Sequence, residues 1–125
     1  MEKKNLKALA LAPLAGFRHV PDVVPEWEGA IVILREPSAS GWLRWQEVAG
    51  LDTDEQESVS EKARRGLRGD VALFIDILRD ENMQPVFCEA DQEEVEKIYG
   101  PVHSRLLKKA LGLTVITNAE EAEKK

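Results

Sequence analysis

The side chains that could support metal binding or covalent catalysis are few and widely separated in this chain. Its 125 residues include two histidines, His19 and His103, and one cysteine, Cys88. Zinc sites need such ligands in closely spaced pairs, and these residues form none; a two-histidine site assembled by folding is the alternative. A cysteine nucleophile needs a lowered pKa, whereas Glu89 and Asp91 oppose a thiolate. We therefore predict no metal, no cofactor and no catalytic residue, and we expect Cys88 to be buried packing.

Carboxylates and glycines are present but do not form a known ion or phosphate site. The stretch from Asp80 to Asp91 loosely resembles a calcium loop, yet Pro85 stands where a glycine must turn the chain. Gly66 and Gly69 lack the Gly-Lys-Ser/Thr sequence that completes a phosphate-binding loop. Neither bound calcium nor a nucleotide is expected.

The only dense basic group, Arg64–Arg68, could belong to a DNA-binding helix. Glu57 and Glu61 lie on the same predicted helix, which favours a solvated face of mixed charge. The net charge of −6 repels phosphate groups, so nucleic acids and anionic membranes are poor partners. A DNA-binding regulator is kept as the alternative function.

A length of 125 residues suits a single globular domain. Hydrophobic residues make up 43% and charged residues 32%, which is typical of a folded protein. A single cysteine excludes an internal disulfide and fits a reducing cytosol. No apolar run approaches the roughly eighteen residues of a membrane span, and Pro13 interrupts the weak N-terminal run that could pass for a signal peptide.

The periodicity of apolar residues predicts an α+β fold, predominantly α-helical, with four to five helices and a small antiparallel β-hairpin. The predicted strands are Asp22–Val24, Ala30–Arg35 and Leu113–Thr117. The predicted helices span residues 4–11, 54–79, 91–99 and 102–111, and one further helix is capped by Ser38 or Ser40 and ends at Gly50. We divide the chain into an N-terminal arm (1–17), one globular domain (18–117) and a mobile charged tail (118–125).

The longest predicted helix, 54–79, would begin with a capping box formed by Thr53 and Gln56 and would extend for roughly 40 Å. Gly66 and Gly69 lie in its middle, where each costs about 1 kcal/mol relative to alanine. We therefore expect a bend or a close approach of another helix there. On the preceding helix, Trp42 and Trp45 are spaced so that one ring can be buried while the other contacts a partner.

Three stretches, in this order, resemble the tail assembly chaperones of long-tailed bacteriophages, the lambda-like and HK97-like siphoviruses. They are the turn Val24-Pro-Glu-Trp-Glu-Gly with its strand and Arg35-Glu36-Pro37-Ser38-Ala39, the helix Ala63–Arg79 with its Asp-Glu-Asn turn, and Pro85-Val86-Phe87 followed by Asp91. Met83 and Gln84 replace the turn glycine that the family pattern expects. The similarity covers about residues 20 to 112.

This resemblance implies a non-catalytic protein of the host cytoplasm that is absent from the mature virion. Such a chaperone binds the tape measure protein and keeps it soluble, and it helps to recruit tail tube subunits through a longer form made by programmed frameshift. Coating one long partner favours a homo-oligomer. We expect partner contacts at apolar strand and helix positions with one arginine: Ile33, Arg35, Trp42, Trp45, Phe74 and Leu78.

Overall fold

The predicted fold class is confirmed by a computed structural model that describes residues 5–11, 16–50 and 58–124, with the side chains of the last helix described as far as residue 113. In chain order, the described elements are α1 (Leu6–Leu11), β1 (His19–Val24), β2 (Ala30–Arg35), α2 (Ala39–Ala49), α3 (Val59–Ile77), β3 (Leu78–Arg79), α4 (Gln92–Ile98) and α5 (Pro101–Lys124). Short 3₁₀ turns lie at Pro25–Trp27 and Glu89–Asp91. None of the described helices combines the length and apolarity that crossing a membrane requires.

The β-hairpin forms as predicted, and a third strand extends it. β1 and β2 are antiparallel, with Val24 opposite Ala30 across a loop in which Glu28 and Gly29 adopt left-handed φ values of 58° and 74°. The sequence gives no local indication of β3, which we predicted as the end of a helix. Leu78 instead takes an extended conformation and pairs with Leu34, so the sheet order is β1-β2-β3.

The two faces of the hairpin differ in burial. Val24, Val32 and Leu34 are buried in the core. The continuous apolar run predicted that both faces would be at least partly covered. On the other face, Val23 and Ile31 are 55% and 44% exposed and Ile33 is half-buried, so that face is covered only in part. We call Val23, Ile31 and Ile33 the outer sheet face.

β1 is an edge strand of the described sheet. The backbone N–H of Glu36 donates to the carbonyl of Arg18, and hydrogen-bonded pairs alternate along an antiparallel ladder. The backbone groups of residue 21 therefore point away from β2. Pro21 stands at this position and has no N–H to offer.

α2 and α3 pack closely through two glycines. Ser38 caps α2 by accepting from the N–H of Gly41, and α2 ends before Gly50, as predicted. Gly41 lies against the Asp76 carboxylate, and a methyl group at Gly69 would lie 2.5 Å from Trp45 Nε1. The predicted close helix–helix approach is thus confirmed at Gly69, whereas nothing lies within 4 Å of a methyl group at Gly66.

The ends of the long helices differ from the prediction. The residue preceding α3, Ser58, is extended and caps the helix, so α3 begins at Val59 rather than at residue 54. The predicted capping box of Thr53 and Gln56 lies outside the described residues. α5 continues through Gly112 to Lys124, so the predicted strand Leu113–Thr117 is wrong. Glycine only weakens a helix, and the local β-propensity of this stretch is a weak preference that its surroundings override.

The core lies where α5, which contacts β2, meets α3, and α3 also packs on α4. Its largest fully buried side chains are Val24, Leu34, Val71, Phe74, Ile77, Leu78, Val95 and Leu106. Two ion pairs also join α5 to the hairpin. Arg105 binds Glu26 through two contacts of 2.8 and 2.9 Å, and Lys109 Nζ lies 3.0 Å from Asp22 Oδ1. The hydrogen bonds from Arg105 lower the pKa of Glu26 to about 2.

Candidate functional site

The candidate chemical residues occupy unrelated surroundings. His19 is exposed in β1, and His103 lies in the first turn of α5, as predicted. Cys88 is exposed, so the prediction of a buried cysteine is wrong. Cys88 caps an exposed 3₁₀ turn: its N–H donates to Asp91 Oδ2 at 2.8 Å, and Glu89 and Ala90 beside it are exposed as well. The described residues include no group of three or more histidine, cysteine or carboxylate side chains arranged to hold a metal ion.

His103 belongs to an aromatic cluster rather than to a catalytic site. Its ring packs 5.2 Å from Phe74, 5.5 Å from Trp27 and 5.4 Å from Tyr99, measured between centroids. Its Nδ1 accepts a hydrogen bond from the N–H of Gly100 at 3.1 Å. Burial lowers the pKa of His103 and raises that of Tyr99 to about 12. Both effects favour neutral side chains, which suits a packing role.

Arg35, one of the predicted contact residues, is buried in an ionic network. Its Nη2 lies 2.8 Å from Asp76 Oδ1 and donates to the Asp76 carbonyl at 2.9 Å. Asp76 also accepts from the N–H and the hydroxyl of Ser38, both at 2.7 Å. The guanidinium lies 4.5 Å from the centre of the Phe17 ring. The network therefore ties β2 and the start of α2 to the end of α3.

The other five predicted contact residues divide between core and surface. Phe74 and Leu78 are fully buried in the chain alone. Trp45 is half-buried and packs against Gly69, and its ring meets that of Trp42 edge to face at 6.0 Å. Trp42 is 44% exposed and Ile33 is half-buried. Only Ile33 and the two tryptophans are thus accessible to a partner of the folded domain, and contact there stays a prediction.

Several apolar areas are exposed among the described residues, and two of them include predicted contact residues. One is the outer sheet face. The other is formed by Trp42 and its neighbour Leu43, which is 60% exposed; we call this pair the α2 apolar surface. Contiguous apolar surface on a small soluble protein commonly marks a site of protein association.

A cleft that the sequence did not reveal lies between α2, α3 and residues 85–92. Its volume is about 270 Å³. It is lined by Ser40, Gly41, Arg44, Ala72, Ile75, Asp76, Arg79, Pro85, Phe87, Cys88, Glu89 and Gln92. We call it the α2–α3 cleft. Because three separated segments supply these residues, no local spacing in the sequence indicates that they meet.

The arginines of α3 do not form an isolated basic surface. Arg68 Nε lies 3.8 Å from Glu96 Oε1, and a shallow depression groups Arg64, Arg65 and Arg68 with Glu47 and Glu61. This mixture of charges is poorly suited to a phosphate backbone. The geometry does not favour the DNA-binding alternative.

Comparison with known proteins identifies the relatives of this fold. Residues 5–125 match a family described as phage tail assembly chaperone. The structure of the bacteriophage HK97 tail assembly chaperone superposes with a TM-score of 0.77 at 60% sequence identity, over 87% of this chain and 96% of that one. A search of curated protein sequences gave no match.

Proposed function

This chain belongs to the family of phage tail assembly chaperones, and we propose that it works by binding the tape measure protein without catalysing a reaction. Tail assembly takes place within the infected cell, and we propose the host cytoplasm as the site of action. Family membership supports a non-enzymatic role. Family membership also agrees with the resemblance noted in the turn that begins at Val24 and in the helix Ala63–Arg79 with the turn that follows it.

The observation that carries this proposal is the uncovered apolar surface beside a well-packed core. Val23, Ile31 and Trp42 are each more than two-fifths exposed, whereas Val24, Val32 and Leu34 on the inner face of the same sheet are buried. A rigid domain that presents apolar area with a polar rim can cover the apolar stripe of a partner helix. Covering that stripe would keep a long helical protein soluble.

We further propose that several copies bind one tape measure protein and associate with each other. Neighbouring copies on one filament gain from avidity, because each bound copy raises the local concentration of the next. A longer form made by programmed frameshift would recruit tail tube subunits, and the chaperone would leave before the virion is complete.

The proposal is tested by co-expressing this chain with the tape measure protein from the same genome and measuring the soluble fraction of that partner. We expect wild type to raise that fraction. Ile31→Ser and Trp42→Ser, which change the two uncovered apolar areas, should each reduce it. Val59→Ser is the matched control, because Val59 is 85% exposed at the start of α3, apart from both areas.

Circular dichroism must first establish that each variant is folded. A wild-type chain that leaves the partner insoluble would refute the proposed function. Trp45→Ala extends the test to the half-buried ring. If folded Trp42 and Trp45 variants solubilise the partner fully, the tryptophans play no part in binding.

The longer form and the loss from the virion have a direct test. Mass spectrometry of infected cells should detect peptides of this chain joined to a downstream reading frame. The same measurement on purified virions should detect neither form. Abundant peptides of this chain in virions would contradict the proposed release.

A further inference from the structure

Arg79 borders the outer sheet face. In the register of β2 and β3 it lies opposite Ile33, so its side chain leaves the sheet on the same side, whereas the next pair, Leu34 and Leu78, is buried on the inner side. Arg79 also lines the α2–α3 cleft, which places it where the outer sheet face meets that cleft. The apolar surface of Ile31 and Ile33 therefore has a cation beside it.

Arg79 forms no ion pair with a carboxylate of the described residues. Arg35 takes the carboxylate of Asp76: its Nη2 lies 2.8 Å from Asp76 Oδ1 and donates to the Asp76 carbonyl at 2.9 Å. Arg79 Nη2 reaches only that same carbonyl, at 3.5 Å, which is the long limit of a hydrogen bond. Two guanidinium groups therefore lie around a single aspartate, and one positive charge remains in excess.

A partner can reach this charge because Arg79 is only half-buried. Its Nε is enclosed and its Nη2 bonds Asp76, whereas Nη1 has no hydrogen bond within the described part of the chain and keeps contact with solvent. Burial lowers the pKa of Arg79 and the neighbouring Arg35 lowers it further, while Asp76 raises it. An incoming carboxylate would thus meet a cation that is already partly desolvated, where a charge-assisted hydrogen bond is stronger than in open water.

The spacing of these groups suits a helix that lies along β2. Ile31 and Ile33 are about 7 Å apart along the strand, which is close to the rise of about 6 Å between residues i and i+4 of a helix. Two apolar residues four positions apart can therefore cover both isoleucines. Arg79 lies on the next strand, about 4.8 Å to the side. A carboxylate within one helical turn of the residue over Ile33, on the flank towards β3, comes next to Arg79.

We propose that the outer sheet face and Arg79 together bind an amphipathic helix of the tape measure protein that carries a glutamate or aspartate beside its apolar stripe. This inference rests on the proposed function and deepens it by giving the partner helix a charge pattern and a register on the sheet. A lysine or arginine at the same position is disfavoured, because like charges would repel. A second copy of this chain is another source of carboxylates, with 23 aspartate and glutamate residues, and the experiment separates the two.

The test uses fluorescein-labelled peptides of about 25 residues, long enough to form a helix, that tile the tape measure protein from the same genome. Binding to the full chain is measured by fluorescence polarisation. We expect the bound peptides to share apolar residues four positions apart with a glutamate or aspartate beside them. Their affinity should fall as salt rises, and Ile31→Ser should weaken each of them.

Arg79→Met removes the charge and keeps an unbranched apolar side chain, and it should weaken binding about tenfold, the effect of losing one charged hydrogen bond. Replacing the glutamate of the peptide by glutamine should cause the same loss in wild type and no further loss in Arg79→Met. Arg79→Lys keeps the charge and should recover most of the affinity. Arg64→Met, the same change at an exposed arginine of α3, is the matched control and should bind like wild type. Circular dichroism establishes that each variant is folded.

A loss on replacing glutamate by glutamine that persists in full in folded Arg79→Met would overturn the inference, as would bound peptides with lysine or arginine at that position. Size-exclusion chromatography tests the second copy: if Arg79→Met breaks up an oligomer while peptide affinity is unchanged, Arg79 joins copies of this chain and the inference is wrong. Absence of binding by every peptide, while wild type keeps the whole partner soluble, would also overturn it and would leave the proposed function intact. A wild-type chain that fails to keep the partner soluble refutes the proposed function, and the inference falls with it.

Discussion

The packing of α2 on α3 can be measured with a pair of glycine substitutions on one helix. Gly66 and Gly69 both lie inside α3, so replacing either by alanine should gain about 1 kcal/mol of helix propensity. At Gly66 nothing lies within 4 Å of the added methyl group. We therefore expect Gly66→Ala to raise the free energy of unfolding by about 1 kcal/mol.

The same change at Gly69 meets the neighbouring helix. Its methyl group would lie 2.5 Å from Trp45 Nε1, 2.7 Å from Trp45 Cδ1 and 3.2 Å from Ala49 Cβ, so the indole must move. Overpacking of this kind costs about 1–3 kcal/mol. Subtracting the propensity gain of about 1 kcal/mol leaves Gly69→Ala between neutral and about 2 kcal/mol less stable than wild type. The difference between the two variants, about 1–3 kcal/mol, isolates the contact itself.

Urea unfolding followed by far-ultraviolet circular dichroism measures both values, with equal m-values as the condition for comparison. Trp45→Phe, which shortens the obstructing ring, should reduce the penalty of Gly69→Ala when the two are combined. If Gly69→Ala stabilises the protein as much as Gly66→Ala does, α2 does not approach α3 at this point and the described packing is incorrect.

Three further perturbations test other parts of the structure. Asp76→Ala leaves the buried Arg35 charge without its partner and should lower the free energy of unfolding by about 3 kcal/mol in the same urea assay. Combining it with Arg35→Met removes the unpaired charge and should recover part of that loss. Met83 has a left-handed backbone (φ 67°), which costs a non-glycine residue about 1 kcal/mol. Met83→Gly should therefore leave the thermal unfolding temperature unchanged or raise it, and a clear fall in that temperature would contradict the prediction. Because burial lowers the pKa of His103 below its ordinary value of 6.5, only the unfolded chain readily takes up this proton as the pH falls. Stability should therefore be level above pH 6.5 and decline below it, more steeply in wild type than in His103→Gln; equal slopes would exclude His103 as the cause.

Much of the first half of the fold could be predicted because its signals are local. The β-branched run Ala30–Arg35 lies between Gly29 and Pro37, and its bounds match β2. Ser38 supplies the oxygen that caps α2, and Gly69 marks a close contact. In each case the residue itself has the property that the structure uses.

The remaining elements depend on partners distant in sequence. β3 has only two residues and exists because the end of α3 lies beside β2. Gly112 and the β-branched residues after it suggested the end of a helix and a strand, yet α5 continues through them. Local propensity cannot decide such cases, because it measures a preference smaller than the energy of tertiary packing.

The roles of the candidate contact residues could likewise be predicted only in part. Periodicity identified Phe74 and Leu78 as the apolar edge of a helix, but it could not tell whether this chain or another would cover that edge, and both are buried here. Arg35 was expected at a surface, whereas Asp76, 41 residues later, buries it in an ion pair. The burial of Gln92 gave no signal in the sequence, because it depends on the Arg68 carbonyl, 24 residues earlier, to which its side-chain amide donates.

Pro21 bears on the proposed binding of several copies along one filament. An incoming strand would dock on the outward edge of β1 by forming a ladder of hydrogen bonds, and residue 21 in the middle offers a carbonyl but no N–H donor. Copies held side by side in that way would be deterred from fusing into a continuous amyloid-like sheet. Contacts on that flank would then depend more on side chains, which separate more easily than a backbone ladder.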